Sequence, residues 1–258
     1  MMTNLYRDAD GQRLPSVTTI IGRFKDSGGL IRWAYQNGAD GGSLNAGRNQ
    51  ADDAGTLARA MVIAHLRGTP WQPGRSNDTD TLAMAISGFN AYLNWERRIN
   101  LAIRYTDVVL VSSRYRYGGT LAAVGEIAGK LVLLDWKASN AVYPDQLTAL
   151  AACKTLWDEN TPDHLITGGY HLFRFSKGAG DFTHHSYPSL NEAWQQFRLF
   201  RRAYDIDARL RRRVSANALA LPADRNKAKR SMPNVPQTMG RKTRISRRAP
   251  RPTSDATR

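Results

Sequence analysis

The chain has 258 residues, 41% of them hydrophobic, enough to bury a sizeable core in one domain with appendages. No apolar run is long enough to cross a membrane and the N-terminus is polar, so neither a membrane span nor a signal peptide is expected. The formal net charge of +15 points to a polyanionic partner, and the single Cys153 excludes an internal disulfide, a four-cysteine zinc site and an iron–sulfur cluster. A reducing, cytoplasmic setting is the expectation, with Cys153 an inert core thiol in the apolar helix LTALAACKTLW.

In chain order, YRDADGQRLP reads as a short β-hairpin about Asp10-Gly11, and Ser16 as the cap of a helix carrying Val17, Ile20 and Ile21. GGLIRWAYQNG predicts a short amphipathic helix with Leu30, Trp33 and Ala34 on one side. A polar stretch (37–54) precedes a helix over 55–67 that Gly68 can end. A third helix, 79–98, has apolar residues around most of its surface and is expected to be well buried.

The central region is β-rich. Ala102–Arg116 predicts one strand, and Thr120–Ile127 and Lys130–Lys137 predict a hairpin turning at Ala128-Gly129. That register sets Ala122 opposite Asp135 and Thr120 opposite Lys137, all on one face. A helix is expected over Pro144–Glu159, then a hairpin of Gly168–Phe175 and Asp181–Tyr187 about Gly178-Ala179-Gly180. Ser189-Leu-Asn-Glu192 reads as a capping box for a long helix that buries Trp194, Phe197 and Tyr204 and ends in Arg209–Arg213. From Pro222 onward there are 11 Lys/Arg against 2 Asp/Glu with no hydrophobic period, which predicts a basic, disordered tail. The expected fold class is α/β (α+β): a central mixed β-sheet flanked by helices in a domain over 1–213, then a tail over 214–258.

The chemistry concentrates at Asp135-Trp136-Lys137, where an apolar strand ends in an acid and a base. Phosphodiester hydrolysis uses a divalent metal to polarise the phosphoryl oxygen and to lower the pKa of the attacking water. Hard cations such as Mg²⁺ or Mn²⁺ take oxygen ligands. Asp135 and the main-chain carbonyl of Trp136 can supply them, with Lys137 as the cation beside the water.

These residues resemble the PD-(D/E)xK phosphodiesterase superfamily, and within it the RecB-like exonucleases of phages, recombination complexes and CRISPR adaptation. The similarity runs over roughly residues 14–213. It rests on Ser16-Val-Thr18, Leu30–Ala34, Gly55-Thr56, the hairpin, Asp135-Trp136-Lys137 and Gln146. The resemblance implies a restriction-endonuclease-like core, divalent-metal-dependent cleavage of DNA, catalytic roles for Asp135, Lys137 and Gln146, and metal ligation by Asp135 and the Trp136 carbonyl. It also implies a prokaryotic or phage-encoded, nucleoid-associated protein, with a partner in a recombination or phage replication complex.

Several family positions are substituted. Arg59 stands where the family has histidine, Ile63 where it has glutamate, Ala122 where it has the hairpin aspartate, and Leu150 where it has tyrosine. One family carboxylate, Asp135, gives too little charge to hold a reluctantly dehydrating Mg²⁺ well. Arg59 and Ile63, four apart, share a helix face. Arg59 reads either as a direct phosphate contact replacing a metal or as a solvated helix residue. The expectation is therefore a nuclease with an incomplete metal site and impaired activity, or an inactive DNA-binding module on the same fold. Nucleic-acid contacts are expected from Arg59 and Lys137 and, in the tail, from Arg225, Lys227, Lys229, Arg230, Arg241 and Lys242.

Overall fold

The computed structural model describes residues 6–25, 35, 39, 53–72 and 78–216. Leu30, Trp33 and Ala34, the polar stretch 40–52 and the tail from 217, with its arginines and lysines, lie outside the described residues. The described residues up to Ser215 fall in one compact unit.

The chain begins with a small hairpin, β1 (Tyr6–Arg7) and β2 (Arg13–Leu14), turning through Gly11 in the left-handed region at φ 75°. Helix α1 (Val17–Phe24) starts where Ser16 accepts the Thr19 N–H at 2.9 Å, and it buries Val17, Ile20 and Ile21. Helix α2 (Ala54–Leu66) is capped by Asp53, which accepts from the Thr56 N–H at 2.8 Å. Helix α3 (Thr79–Ile99) starts at Asp78 and ends at Asn100 in the left-handed conformation. It buries one face only, through Ala85, Gly88, Tyr92 and Trp95, less than its apolar content led us to expect. Leu82, Met84, Phe89, Leu93 and Ile99 pack half-buried against the same core, and Ile86 is exposed.

The centre is a five-stranded mixed sheet: β3 (Ala102–Ser112), β4 (Tyr117–Ile127), β5 (Lys130–Ala138), β6 (Tyr170–Phe175) and β7 (Phe182–Tyr187), in that spatial order. Neighbours are antiparallel except β5 and β6, which are parallel and joined through α4 (Pro144–Asn160). The expected central mixed sheet flanked by helices is the fold. The β4–β5 turn places Ala128 at φ 48° and Gly129 at φ 75°, the signs a type I′ turn demands. The last helix, α5 (Asn191–Ala216), begins two residues after Ser189, so the expected capping box does not form. The Ser189 hydroxyl instead accepts from the Asn191 N–H at 3.3 Å, and the Leu190 carbonyl from the Trp194 N–H at 2.8 Å.

Each sheet face carries its own core. On one side α1, α4 and α5 bury Ile20, Leu150, Leu156 and Phe197 against Leu121 and Leu133. On the other, α2 and α3 bury Met61, Tyr92 and Trp95 against Leu134, Trp136 and Phe173. Trp136 stacks on Phe173 at 5.4 Å and meets the edge of Tyr92 at 6.2 Å, so the middle of the Asp-Trp-Lys run is anchored by aromatic packing. Among the described residues no helix is long and apolar enough to cross a membrane.

Candidate functional site

Side chains alternate along β5. Leu131 and Leu133 pack with the α1/α4 side, whereas Val132, Leu134 and Trp136 pack with the α2/α3 side. Asp135 and Lys137 continue the first series. The β4–β5 ladder has the expected register but ends at Ala123↔Leu134, one pair short of Ala122 and Asp135. Beyond that point β4 keeps its pairing with β3, and β5 keeps its pairing with β6. A cavity of about 330 Å³ opens there, lined by Arg59, Ile63, Ala122, Asp135, Trp136, Lys137 and Leu150 with Thr18 and Cys153. The fold thus brings together Arg59, Ile63, Ala122 and Leu150, the four positions that depart from the resembled pattern, and the whole Asp-Trp-Lys run.

Gln146 is placed elsewhere. Its side-chain oxygen accepts from the Tyr143 N–H and its amide donates to the Ser139 hydroxyl, both at 3.2 Å, closing a capping box at the start of α4. Leu150 is buried.

Three oxygen-bearing groups in the cavity could ligate a hard cation, and each contacts a protein cation through one oxygen. The Asp135 carboxylate pairs with the Lys137 ammonium at 2.7 Å. The Trp136 carbonyl accepts from Arg59 Nε–H at 2.8 Å. The third group is Asp107, which sequence reasoning missed. Pairing of Thr106 with Ala123 and of Val108 with Leu121 sets Asp107 opposite Ala122, on the far side from Asp135. Asp107 adopts φ 52° and pairs with Arg67 at 2.7 Å, and both line the cavity. The strand read from the sequence ran on to Arg116, across the turn at 113–116, which hid the register that brings Asp107 here.

Position 122 is therefore flanked by a carboxylate on each neighbouring strand, with an alanine between them. Three cations, Arg59, Arg67 and Lys137, face two carboxylates in the cavity. Among the described residues the terminal nitrogens of Arg59 make no hydrogen bond, so its guanidinium keeps donors for a ligand. The Arg67–Asp107 pair is about half exposed on both sides and so is easily exchanged for another anion.

This set does not fit a resident divalent cation. Mg²⁺ demands near-octahedral oxygen coordination, and here it would have to compete with three protein cations for two carboxylates and one carbonyl. No group of three His, Cys, Asp or Glu suited to a metal occurs among the described residues. Asp53 caps α2 and lies near Lys177, and Glu126 pairs with Arg104 at 2.7 Å, so neither acid completes the site. Cys153 packs half-buried against the α1/α4 core, as expected, and also lines the cavity wall. Burial pushes its thiol up to about 12, with Asp135 adding to the shift and Lys137 opposing it, so the sulfur stays protonated and a poor nucleophile.

The histidines form no site with these residues. His65 contacts Glu96 at 2.7 Å. His184 accepts from Trp95 Nε1–H at 3.0 Å through Nδ1. Its Nε2–H then donates to His171 Nδ1 at 2.8 Å. Burial lowers both histidines, His184 to about 4, helped by repulsion from His171 and His185. Protonating His184 would put N–H against the Trp95 donor. The unfolded chain takes up this proton near the ordinary value of 6.5, so the stability from the neutral form is complete above pH 6.5 and is lost as pH falls towards 4. Denaturant titrations over that window should show a loss of about 2 kcal/mol, less than the full linkage value because solvent screens the half-buried His184, and flattened in His184→Gln, whose amide reproduces the neutral donor–acceptor pair. An unchanged slope in that variant would assign the acid sensitivity to other groups.

No family model matches the chain, and no curated protein matches it. Among solved structures, a protein from Eubacterium rectale with the provisional name exonuclease superposes with a TM-score of 0.43 at 10% identity. The superposition covers 58% of this chain and 66% of that one.

Proposed function

We propose that this chain is a RecB-like PD-(D/E)xK nuclease module that binds DNA through its own cations, with metal-dependent cleavage lost or strongly reduced. The observation that carries the reading is the pair of contacts from Arg59 to the Trp136 carbonyl and from Lys137 to Asp135. Where the family resemblance implies a metal between those two oxygens, this chain sets a guanidinium and an ammonium. A phosphate entering the cavity meets Arg59 directly, and Arg67 and Lys137 can turn from their carboxylates towards it. The formal charge of +15 supports the choice of a polyanion as ligand.

The test is binding and cleavage of a single-stranded DNA of about 20 nucleotides, with Mg²⁺ or with a chelator. The unmodified chain is expected to bind equally well in both conditions and to cut little in either. Arg59→Ala combined with Lys137→Ala should weaken binding about tenfold, the loss of two charge-assisted phosphate contacts. Mg²⁺-dependent cutting that disappears in Asp135→Ala would instead establish an active metal nuclease.

A further inference from the structure

A second basic cavity lies away from the strand ends. It holds about 590 Å³ between the β3–β4 turn and α5. That volume is within the range of small-ligand sites. Tyr115, Trp194 and Phe197 form an aromatic wall, with Tyr115 against Trp194 edge-to-face at 5.0 Å and Trp194 stacked on Phe197 at 5.8 Å. Arg114, Arg198 and Arg202 are exposed around it. The Arg114 guanidinium lies 5.2 Å over the Tyr115 ring, and among the described residues none of these three guanidiniums has a carboxylate partner.

Arg201 has a different task. It donates to the carbonyls of Tyr115 and Arg116 at 2.9 Å and pairs with Asp205, which ties the β3–β4 turn to α5 and holds the cavity's shape. The Asp205 charge is thereby neutralised within the scaffold, leaving the three exposed arginines as the charges a ligand meets. Helix α5 as a whole carries seven arginines against three carboxylates.

The two basic cavities are linked. A third one, of about 460 Å³, shares Tyr6 and Ser16 with the candidate site and Arg116, Arg201 and Asp205 with the α5 cavity. Arg13, Tyr204 and Arg212 also line it. Neighbouring cavities that share walls thus form a trough, lined by cations and aromatic rings, from Arg59 and Lys137 to Trp194.

We propose that the α5 cavity is a second binding site for single-stranded nucleic acid, where Arg114, Arg198 and Arg202 hold phosphates beside Trp194 and Tyr115. A strand seated there passes along the trough to the first cavity. Unpaired guanidiniums neutralise the backbone, and aromatic rings give unpaired bases a surface that a duplex does not need. The inference rests on the proposed function only for the class of ligand, because the residues belong to different elements.

The experiment measures affinity for a single-stranded oligonucleotide of about 20 nucleotides across a range of salt, for the unmodified chain and for Arg198→Glu/Arg202→Glu. Both positions are exposed on α5, and circular dichroism checks that the fold is kept. The expected result is at least about a tenfold loss of affinity and a fall of about 1.4 in the slope of log K against log salt, two single-strand phosphate contacts. Ultraviolet cross-linking of the unmodified chain to the same oligonucleotide should label Trp194 or Tyr115, a readout that needs no variant to fold.

Unchanged affinity and slope, with no label on either ring, would overturn the proposal. So would loss of binding in the variant to phosphatidylserine–phosphatidylcholine vesicles alone, which would assign the helix to a lipid surface. If Arg59→Ala/Lys137→Ala binds normally while Arg198→Glu/Arg202→Glu does not, the first site fails and this one stands. The reverse outcome removes this site and keeps the first.

Discussion

The triple substitution Arg59→His/Ile63→Glu/Ala122→Asp should convert this chain into a Mg²⁺- or Mn²⁺-dependent nuclease, cutting at least about 100-fold faster than the unmodified protein. The three changes act on one cavity, since all three positions line it. Removing Arg59 frees the Trp136 carbonyl that its Nε–H now occupies at 2.8 Å. Aspartate at 122 adds a carboxylate between Asp135 and Asp107, and glutamate at 63 adds another from α2. Like charges so close together are unfavourable without a cation, which is what makes such a cluster bind one. Lys137 would then be released from Asp135 to act beside the attacking water. Isothermal titration with Mn²⁺ should detect binding in the variant and little in the unmodified chain. A variant that neither binds metal nor cuts would show that these positions do not correspond to the family's ligands.

The second large effect concerns Gly55, which the family resemblance pairs with Thr56. A Cβ built on Gly55 would lie 2.6 Å from the Ser176 carbonyl oxygen and 2.8 Å from that of Phe175. Both are main-chain atoms at the end of β6, and the neighbouring Ala54 N–H donates to the Lys177 carbonyl at 3.1 Å. The start of α2 is thus docked directly on the sheet, which fixes the distance from which Arg59 reaches β5. Gly55→Ala must separate helix from strand, at a cost of about 3 kcal/mol. Urea denaturation should show that loss, and oligonucleotide binding should weaken in the fraction that remains folded because Arg59 is lifted with the helix. A loss below about 0.5 kcal/mol would mean that the helix start relaxes freely. In this chain the glycine serves the backbone approach and offers no group to a ligand.

The local architecture was legible from residue pattern. The turn signals about Asp10-Gly11, Ala128-Gly129 and Gly178-Ala179-Gly180 mark the hairpins found, and Ser16 caps α1. The β4–β5 register, seen from Ile127↔Lys130 to Ala123↔Leu134, follows from a two-residue turn and a side-chain period of two, but the ladder stops before Ala122 and Asp135. Boundaries were less legible. The cap of α5 shifted by one residue, from Ser189 to Leu190, whose side chain is buried in the core.

The site divides the same way. The sequence by itself determined that an acid and a base end an apolar strand, that the hairpin carries alanine at 122, and that Arg59 and Ile63 share a face. Those are consequences of covalent order and helical or strand period alone. Only the tertiary structure decided where the charges go. Arg59 reaches the Trp136 carbonyl because α2 docks against β6 and the β4–β5 ladder stops at Leu134. Gln146 turns to cap α4, whereas Asp107 enters the cavity from β3. The Asp135–Lys137 pair is local, but the Arg59–Trp136 contact joins residues 77 positions apart and is set by the packing of elements, which no local pattern encodes.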